Sequence, residues 1–586
     1  MFGKTLLVKL FSSLQRFPET LLCCAATVTV LMFLVHGKPG PDGELEESLG
    51  RLAATLALGI PLSLSIKVFF ERARFLKIAL KILIYTAAAA GLALYYFFLL
   101  PDFGFVSVSR YVAISLALYL AFTFIPYFYH RPNYELYVIR LGISFLTTYV
   151  FAAILFGGLA AMLATINYLF SAGISEKIYS DIWLIVAGIF APAFFLADIP
   201  AGDREIEPES YPKVISALLS YIVVPLILAY CAILYVYFIK IVVTRQWPEM
   251  MVSHLVLWYA IISTLVIFSL HPLRQANRWI NAFTAYFPIL ILPLLGMMFT
   301  AMGVRVAAYG ITENRYFVLA AGLWITGSML YLILARRPRT VFLPASLALV
   351  AILAVCGPWS SYTVSVLSQS RRFEKMAAEY NLIQEGKIVK PATALPDAVQ
   401  REISSIILYF DRRHGLDHLQ ALPEGFETDQ MEALFGFPLY PDYEHLDNGD
   451  LYFYYLLNKE ESFWDLSGFD YFMHISPDSR HYQADDLEVT YSPENHELKI
   501  RYQDQEIYAQ NVAEVAIKLH RDNAQKSNRR ELLAKDELTF LDRRENLKVL
   551  YGFTQYGGQE NLSSGEVILH YLEFYLFVGL EAEEDQ

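Results

Sequence analysis

The sequence predicts a polytopic α-helical membrane bundle of about eleven transmembrane helices, followed by a C-terminal soluble α+β domain. Three observations carry that prediction. Apolar residues make up 55% of the 586 positions and charged residues only 18%, against roughly 25% charged in ordinary globular chains. The charge is also divided: residues 1–370 hold 25 Lys plus Arg and 17 Asp plus Glu, and residues 371–586 hold 21 and 41. Finally, uninterrupted apolar stretches recur through the first 370 residues, each near the ~20 residues needed to cross a hydrocarbon core of about 30 Å. A single soluble enzyme, a secreted disulfide scaffold, a disordered chain and a nucleic-acid binder with a basic face are all excluded by this composition. The chain divides into a multi-pass transmembrane domain (1–370), a juxtamembrane helix and linker (371–396), and an acidic soluble domain (397–586).

The spans fall near Glu19–Val35, Ala53–Phe70, Ile78–Leu100, Val112–Phe128, Leu141–Ile166, Ile182–Leu196, Val214–Ile239, Met251–Leu270, Phe283–Met302, Tyr316–Leu334 and Val341–Cys356. The sixth is short, and Tyr134–Phe170 leaves room for an interfacial lead-in helix before the fifth. Lys4, Lys9 and Arg16 precede the first span, and no small-residue cleavage site follows it, so it reads as an uncleaved signal anchor. With the N-terminus inside, the inner segments carry 17 of the 25 Lys and Arg, the bias expected of cytoplasmic loops. An odd number of crossings then places the acidic domain outside the cytoplasm. All four cysteines, Cys23, Cys24, Cys231 and Cys356, fall in spans, so the soluble domain holds no disulfide and no thiolate metal site.

In the soluble part, Ser368–Gln384 reads as a helix leaving the membrane surface, and Pro391 and Pro396 mark a linker. Val399, Ile403, Ile406, Ile407 and Phe410 recur at helical spacing, which predicts a helix over Asp397–Arg413. Strands Leu487–Tyr491 and Leu498–Tyr502 flank the turn-rich Ser492–His496 and form a hairpin. Asn511–His520 follows as a helix, with strands at Leu538–Leu541, Leu547–Phe553 and Val567–Val578. Tyr452–Tyr455 reads as a core strand.

The candidate site is a polar pocket built from Glu249, Arg305, Glu313, Asn314 and Arg315. Pro288, Pro293 and Gly296 interrupt the ninth span, and discontinuous helices of this kind build transporter sites. A charge near membrane depth needs a partner or a cavity, which suggests Arg305 paired with Glu249 or Glu313. Arg245 and Trp247 lie close by in sequence. The competing reading is a kinked packing helix flanked by interfacial anchors. Thr312 before Glu313 fits a helix start. His414 and His418 stand four apart, a metal-chelating interval, but Gly415 ends the helix and no third ligand is near. Asp42 and Glu44 lie in an acidic first outer loop, the one feature compatible with a lipid-linked glycosyltransferase. There is no Gly-rich phosphate loop and no serine-hydrolase elbow, so no cofactor is expected.

The stretch Gly310-Ile311-Thr312-Glu313-Asn314-Arg315-Tyr316, with Gly357-Pro358-Trp359-Ser360-Ser361-Tyr362-Thr363-Val364-Ser365 and Ser368-Gln369, resembles a bacterial multi-pass inner-membrane family known only as a domain of unknown function, the one numbered 4153. The resemblance runs from about Trp279 to Arg372. It implies a bacterial cytoplasmic-membrane location and supplies no activity or catalytic residue.

These readings lead to a non-enzymatic envelope protein whose bundle anchors an extracytoplasmic domain that binds, senses or scaffolds. The alternative is a transporter or lipid-handling permease using the polar pocket, and the third reading is a lipid-linked glycosyltransferase. The expected partners are membrane lipids and an envelope protein or small-molecule ligand, with no nucleic acid.

Overall fold

The computed structural model describes residues 10–37, 44–73, 75–127, 133–200, 211–244, 251–384, 387–391, 393–440, 450–458, 464–476, 481–484, 486–493, 495–523, 531–544, 547–561 and 566–580. Two compact units divide the chain, Met1–Glu374 and Lys375–Gln586.

Among the described residues of the first unit, ten helices are long and apolar enough to cross a membrane. They are α1 (Pro18–His36), α2 (Glu44–Arg72), α3 (Ile78–Leu94, with a π turn to Leu99), α4 (Phe105–Phe124), α5 (Tyr134–Phe170) and α6 (Glu176–Ala197). The remainder are α7 (Lys213–Thr244), α8 (Met251–Leu270), α9 (Arg278–Tyr309) and α10 (Glu313–Leu334). The fifth span has no separate lead-in helix: α5 is one uninterrupted helix of 37 residues. The sixth is longer than its apolar run, because Ser175 caps it seven residues upstream by accepting a hydrogen bond from the Lys177 N–H. π turns at Tyr95–Leu99, Val186–Phe190 and Leu219–Val223 add one residue to a helical turn in α3, α6 and α7.

The eleventh predicted span forms a shorter helix, α11 (Phe342–Val355), of 14 residues. At ~1.5 Å per residue it is about 21 Å long, less than a hydrocarbon core. Its flanks make up the difference. At one end Val341 packs in a cluster with Tyr127, Tyr134 and Phe268. At the other, the Tyr362 hydroxyl lies 2.8 Å from Ser109 Oγ and donates to Val106 O, at the start of α4. Residues 341–362 therefore run the full length of α4, which they accompany closely.

The two ends of the bundle are held differently. Where α1 begins, Arg16 forms a two-pronged pair with Glu71 at 2.8 Å per contact and donates to Ile199 O. Glu135, 6% exposed, meets both His271 Nδ1 at 2.8 Å and Thr340 Oγ1. At the opposite end His36 pairs with Asp181 at 2.7 Å, and Arg51 donates to Leu100 O. Between the ends, α7–α10 bury a core that includes Val256, Ile291, Leu294, Met298 and Ile325.

The first unit closes with α12 (Ser361–Glu379), a helix that continues past Glu374 into the second unit. The second unit opens with a short hairpin, β1 (Ile383–Gln384) and β2 (Lys387–Ile388), then α13 (Asp397–Arg413) and α14 (Met431–Phe435). Next come β3 (Asp450–Leu457), β4 (Tyr471–Ile475), β5 (His481–Ala484), β6 (Leu487–Ser492), β7 (Glu497–Tyr502) and β8 (Gln505–Asn511). The chain finishes through α15 (Val512–Asn523), β9 (Glu531–Leu533), β10 (Thr539–Arg544), β11 (Leu547–Asn561) and β12 (Glu566–Leu580). A six-stranded sheet has the order β4-β12-β11-β3-β9, with β10 also paired to β11, and β5-β6-β7-β8 form a four-stranded antiparallel meander. Phe453 and Tyr455 of β3 are 4% and 1% exposed, in one core with Val489, Ile500, Tyr551 and Phe574. Strict alternation places these side chains on one face.

Candidate functional site

The polar segment between the ninth and tenth spans is a tight turn held against α12. The ninth span is not discontinuous: Pro288 and Pro293 sit inside one helix, α9. A proline removes the helical hydrogen bond to the carbonyl four residues back, and between the two prolines Tyr235 of α7 donates to Leu290 O at 2.6 Å. A neighbouring helix thus bonds to the proline-bearing stretch of α9, an arrangement that suits a packing helix.

The helix ends at Tyr309, and Gly310 turns the chain with φ 71° and ψ −176°, a conformation essentially confined to glycine. Thr312 stands at the N-cap position of α10, although its side chain makes no capping bond. Two neighbours on α12 clasp the turn. Gln369 Nε2 donates to Tyr309 O at 3.0 Å and to Ile311 O at 3.2 Å, and Ser368 Oγ accepts from the Ile311 N–H at 2.8 Å. Gln369 is 2% exposed, so these bonds are made away from water. A second strut lies alongside, where the Tyr316 hydroxyl donates to Trp359 O at 2.7 Å.

Of the predicted site residues, Arg305, Glu313, Asn314 and Arg315 are described, and they stand around this turn. Glu249, with Arg245 and Trp247, lies outside the described residues. Arg315 spends its guanidinium on Tyr309 O and Gly310 O, at 3.2 and 2.9 Å, closing the C-terminal end of α9. Its charge and that of Arg372 each lie 5.7 Å from the Tyr309 ring. Glu313 is fully buried and within electrostatic range of Tyr362. Asn314 is exposed and Arg305 half-buried. Arg305 does not pair with Glu313, and among the described residues it forms no hydrogen bond or ion pair. The Arg305–Glu313 pairing is not made because α9 carries Arg305 more than a turn short of the Gly310 bend, while Glu313 is buried beyond it.

Sequence reading missed three features. The clasp joins two segments some 57 positions apart in sequence, and nothing in spacing alone pairs them. The Glu135–His271–Thr340 junction gathers residues that each look like ordinary interfacial polar groups. An apolar cavity of about 550 Å³ lies between α1, α2, α4, α5 and α6; its lining is indistinguishable in sequence from any helix-packing surface. In the soluble unit His414 and His418 pack beside Phe410, and the Tyr409 hydroxyl is 3.1 Å from His414 Nε2. Among the described residues no three His, Cys, Asp or Glu side chains converge on a metal-sized site.

Residues 22–384 match the family described as Domain of unknown function (DUF4153). An uncharacterised protein of Pasteurella multocida (strain Pm70) is 25% identical over 247 residues, a match covering 42% of this chain and 42% of the relative. The chain thus spans under half the length of that relative. No solved structure matches.

Proposed function

Since the chain belongs to the DUF4153 family over a region running from α1 through α12, we propose that the family's working unit is the bundle together with its clasped exit helix. In this reading the protein is a binding, sensing or scaffold protein of the bacterial cytoplasmic membrane and not an enzyme. Its N-terminus lies inside, its chain crosses eleven times, and the acidic domain stands on the extracytoplasmic side. The observation that carries the reading is the clasp. Ser368 and Gln369 grip the turn between α9 and α10, and their helix continues without a break into the soluble unit. The turn between α9 and α10 is thereby tied to the helix on which the chain leaves the bundle. The length of residues 341–362 alongside α4 supports the odd number of crossings.

Fusing a reporter active only outside the cytoplasm after Gln586 tests the orientation: activity is expected there, and activity of a cytoplasm-only reporter refutes it. Gln369→Ala in the intact protein tests the coupling. Hydrogen exchange in Asp397–Arg413 is expected to rise, and exchange unchanged there and throughout α12 would remove the support. The permease reading draws less from the geometry, since Arg315 is committed to carbonyl oxygens and Asn314 faces outward.

A further inference from the structure

We propose that the cavity walled by α1, α2, α4, α5 and α6 binds one acyl chain of a membrane phospholipid. Its volume, about 550 Å³, lies within the range of small-molecule sites. Val28, Leu64, Phe122, Leu141, Phe195 and Leu196 supply much of the wall, and no lining residue is charged. The threonine hydroxyls that reach it are already committed. Thr20 shares a hydrogen bond with Ser63 at 3.0 Å, Thr27 donates to Cys23 O at 2.8 Å and Thr123 to Leu120 O at 2.7 Å. Arg16, which precedes α1 at the same end as Thr20, is engaged by Glu71 and Ile199 O. A charged headgroup would find no ionic partner in this lining, at the cost of burying an uncompensated charge. A hydrocarbon chain needs none.

The rim points to the source of that chain. Tyr119 and Phe145 line the cavity and are 49% and 50% exposed, so it opens sideways between helices long enough to span a bilayer. Left empty, the wall forfeits dispersion contacts. Water would find too few polar partners to remain. Gly142 helps keep the space clear: a Cβ built there meets nothing within 4 Å, although glycine inside a helix costs about 1 kcal/mol relative to alanine.

The test uses the full chain in nanodiscs containing a phosphatidylethanolamine with a photoactivatable diazirine near one chain terminus. After irradiation and digestion, adducts are expected on Thr27–Leu31, Gly142–Tyr149 and Leu184–Leu196. Their yield should exceed that on Ile154 and Met162, which are 67% and 62% exposed on the outward side of α5. Gly142→Phe, and independently Ala187→Phe on another wall, should each abolish the excess while the protein elutes as wild type. Cavity labelling no stronger than at Ile154 and Met162 overturns the proposal in the wild-type protein alone. So does an excess that survives in either folded variant.

Discussion

Gly310→Ala tests whether the turn before α10 needs both its backbone conformation and its closeness to α12. Gly310 has φ 71° and ψ −176°, where a residue with a Cβ pays about 1–3 kcal/mol in strain. The added methyl carbon would also lie 2.9 Å from Gln369 Nε2 and 3.1 Å from Ser368 Oγ. Gln369 must then withdraw from Tyr309 O and Ile311 O, and breaking a buried hydrogen-bonding arrangement costs roughly 1–3 kcal/mol. The expected loss is about 2–6 kcal/mol, read as a lower unfolding midpoint of the purified full chain in one detergent. A double-mutant cycle separates the two contributions. In a Gln369→Ala background the closer of the two steric conflicts has been removed, so Gly310→Ala should cost mainly the strain, about 1–3 kcal/mol. The difference between backgrounds measures the coupling. If Gly310→Ala lies within about 0.5 kcal/mol of wild type, or the two changes are additive, the clasp is not what holds the turn.

Three further outcomes follow from other parts of the fold. Glu135→Ala leaves His271 and Thr340 without their shared acceptor and should destabilise by about 1–3 kcal/mol, whereas Glu135→Gln, which keeps an acceptor, should cost less; equal unfolding midpoints for the two would dismiss the junction. Gly188→Ala places a Cβ 2.4 Å from Val28 Cγ2 and should cost about 1–3 kcal/mol by overpacking, recovered in part by Val28→Ala, so the absence of rescue would show that α1 and α6 do not meet there. In the soluble unit, His520 is fully buried against Phe453, with Nδ1 3.0 Å from the Tyr455 hydroxyl and Nε2 3.3 Å from Glu560. Burial depresses its pKa below 6.5, only partly opposed by Glu560. The unfolded chain then binds the proton more readily, so the stability conferred by neutral His520 is complete above about pH 6.5 and falls as pH drops through the folded value, by up to ~1.4 kcal/mol per pH unit. The hydrogen-exchange protection of β3 and α15 in the full chain, corrected for the intrinsic pH dependence of exchange, should fall from pH 7.5 to 5 in wild type and less so in His520→Gln; the same fall in both would refute this.

Local pattern made much of the fold legible. Asp397–Arg413 is helical over its whole predicted length, and the hairpin around Ser492–His496 has the expected strands, since both are written in periodic burial that a short window contains. The spans were legible for the same reason, as hydrophobic length is a local quantity. Ser175 extending α6 upstream was less visible, because a cap adds polar residues to an apolar run. The ninth span misled: two prolines in sequence look like a broken helix, yet α9 runs through both, with Tyr235 of α7 bonded to Leu290 O between them. Arg305 and Glu313 are near in sequence, but the Gly310 bend separates them.

The sequence by itself determined that this is a multi-pass membrane protein with an acidic α+β domain, because transfer of apolar groups out of water depends on composition summed over about 20 residues. It also marked the Gly310–Tyr316 and Gly357–Gln369 segments, without relating them. The tertiary structure decided that one grips the other, that α11 is completed by its flanks, and that five helices leave a cavity between them. Hydrogen bonds and voids depend on atoms brought within a few ångströms from distant parts of the chain. No local pattern encodes that proximity.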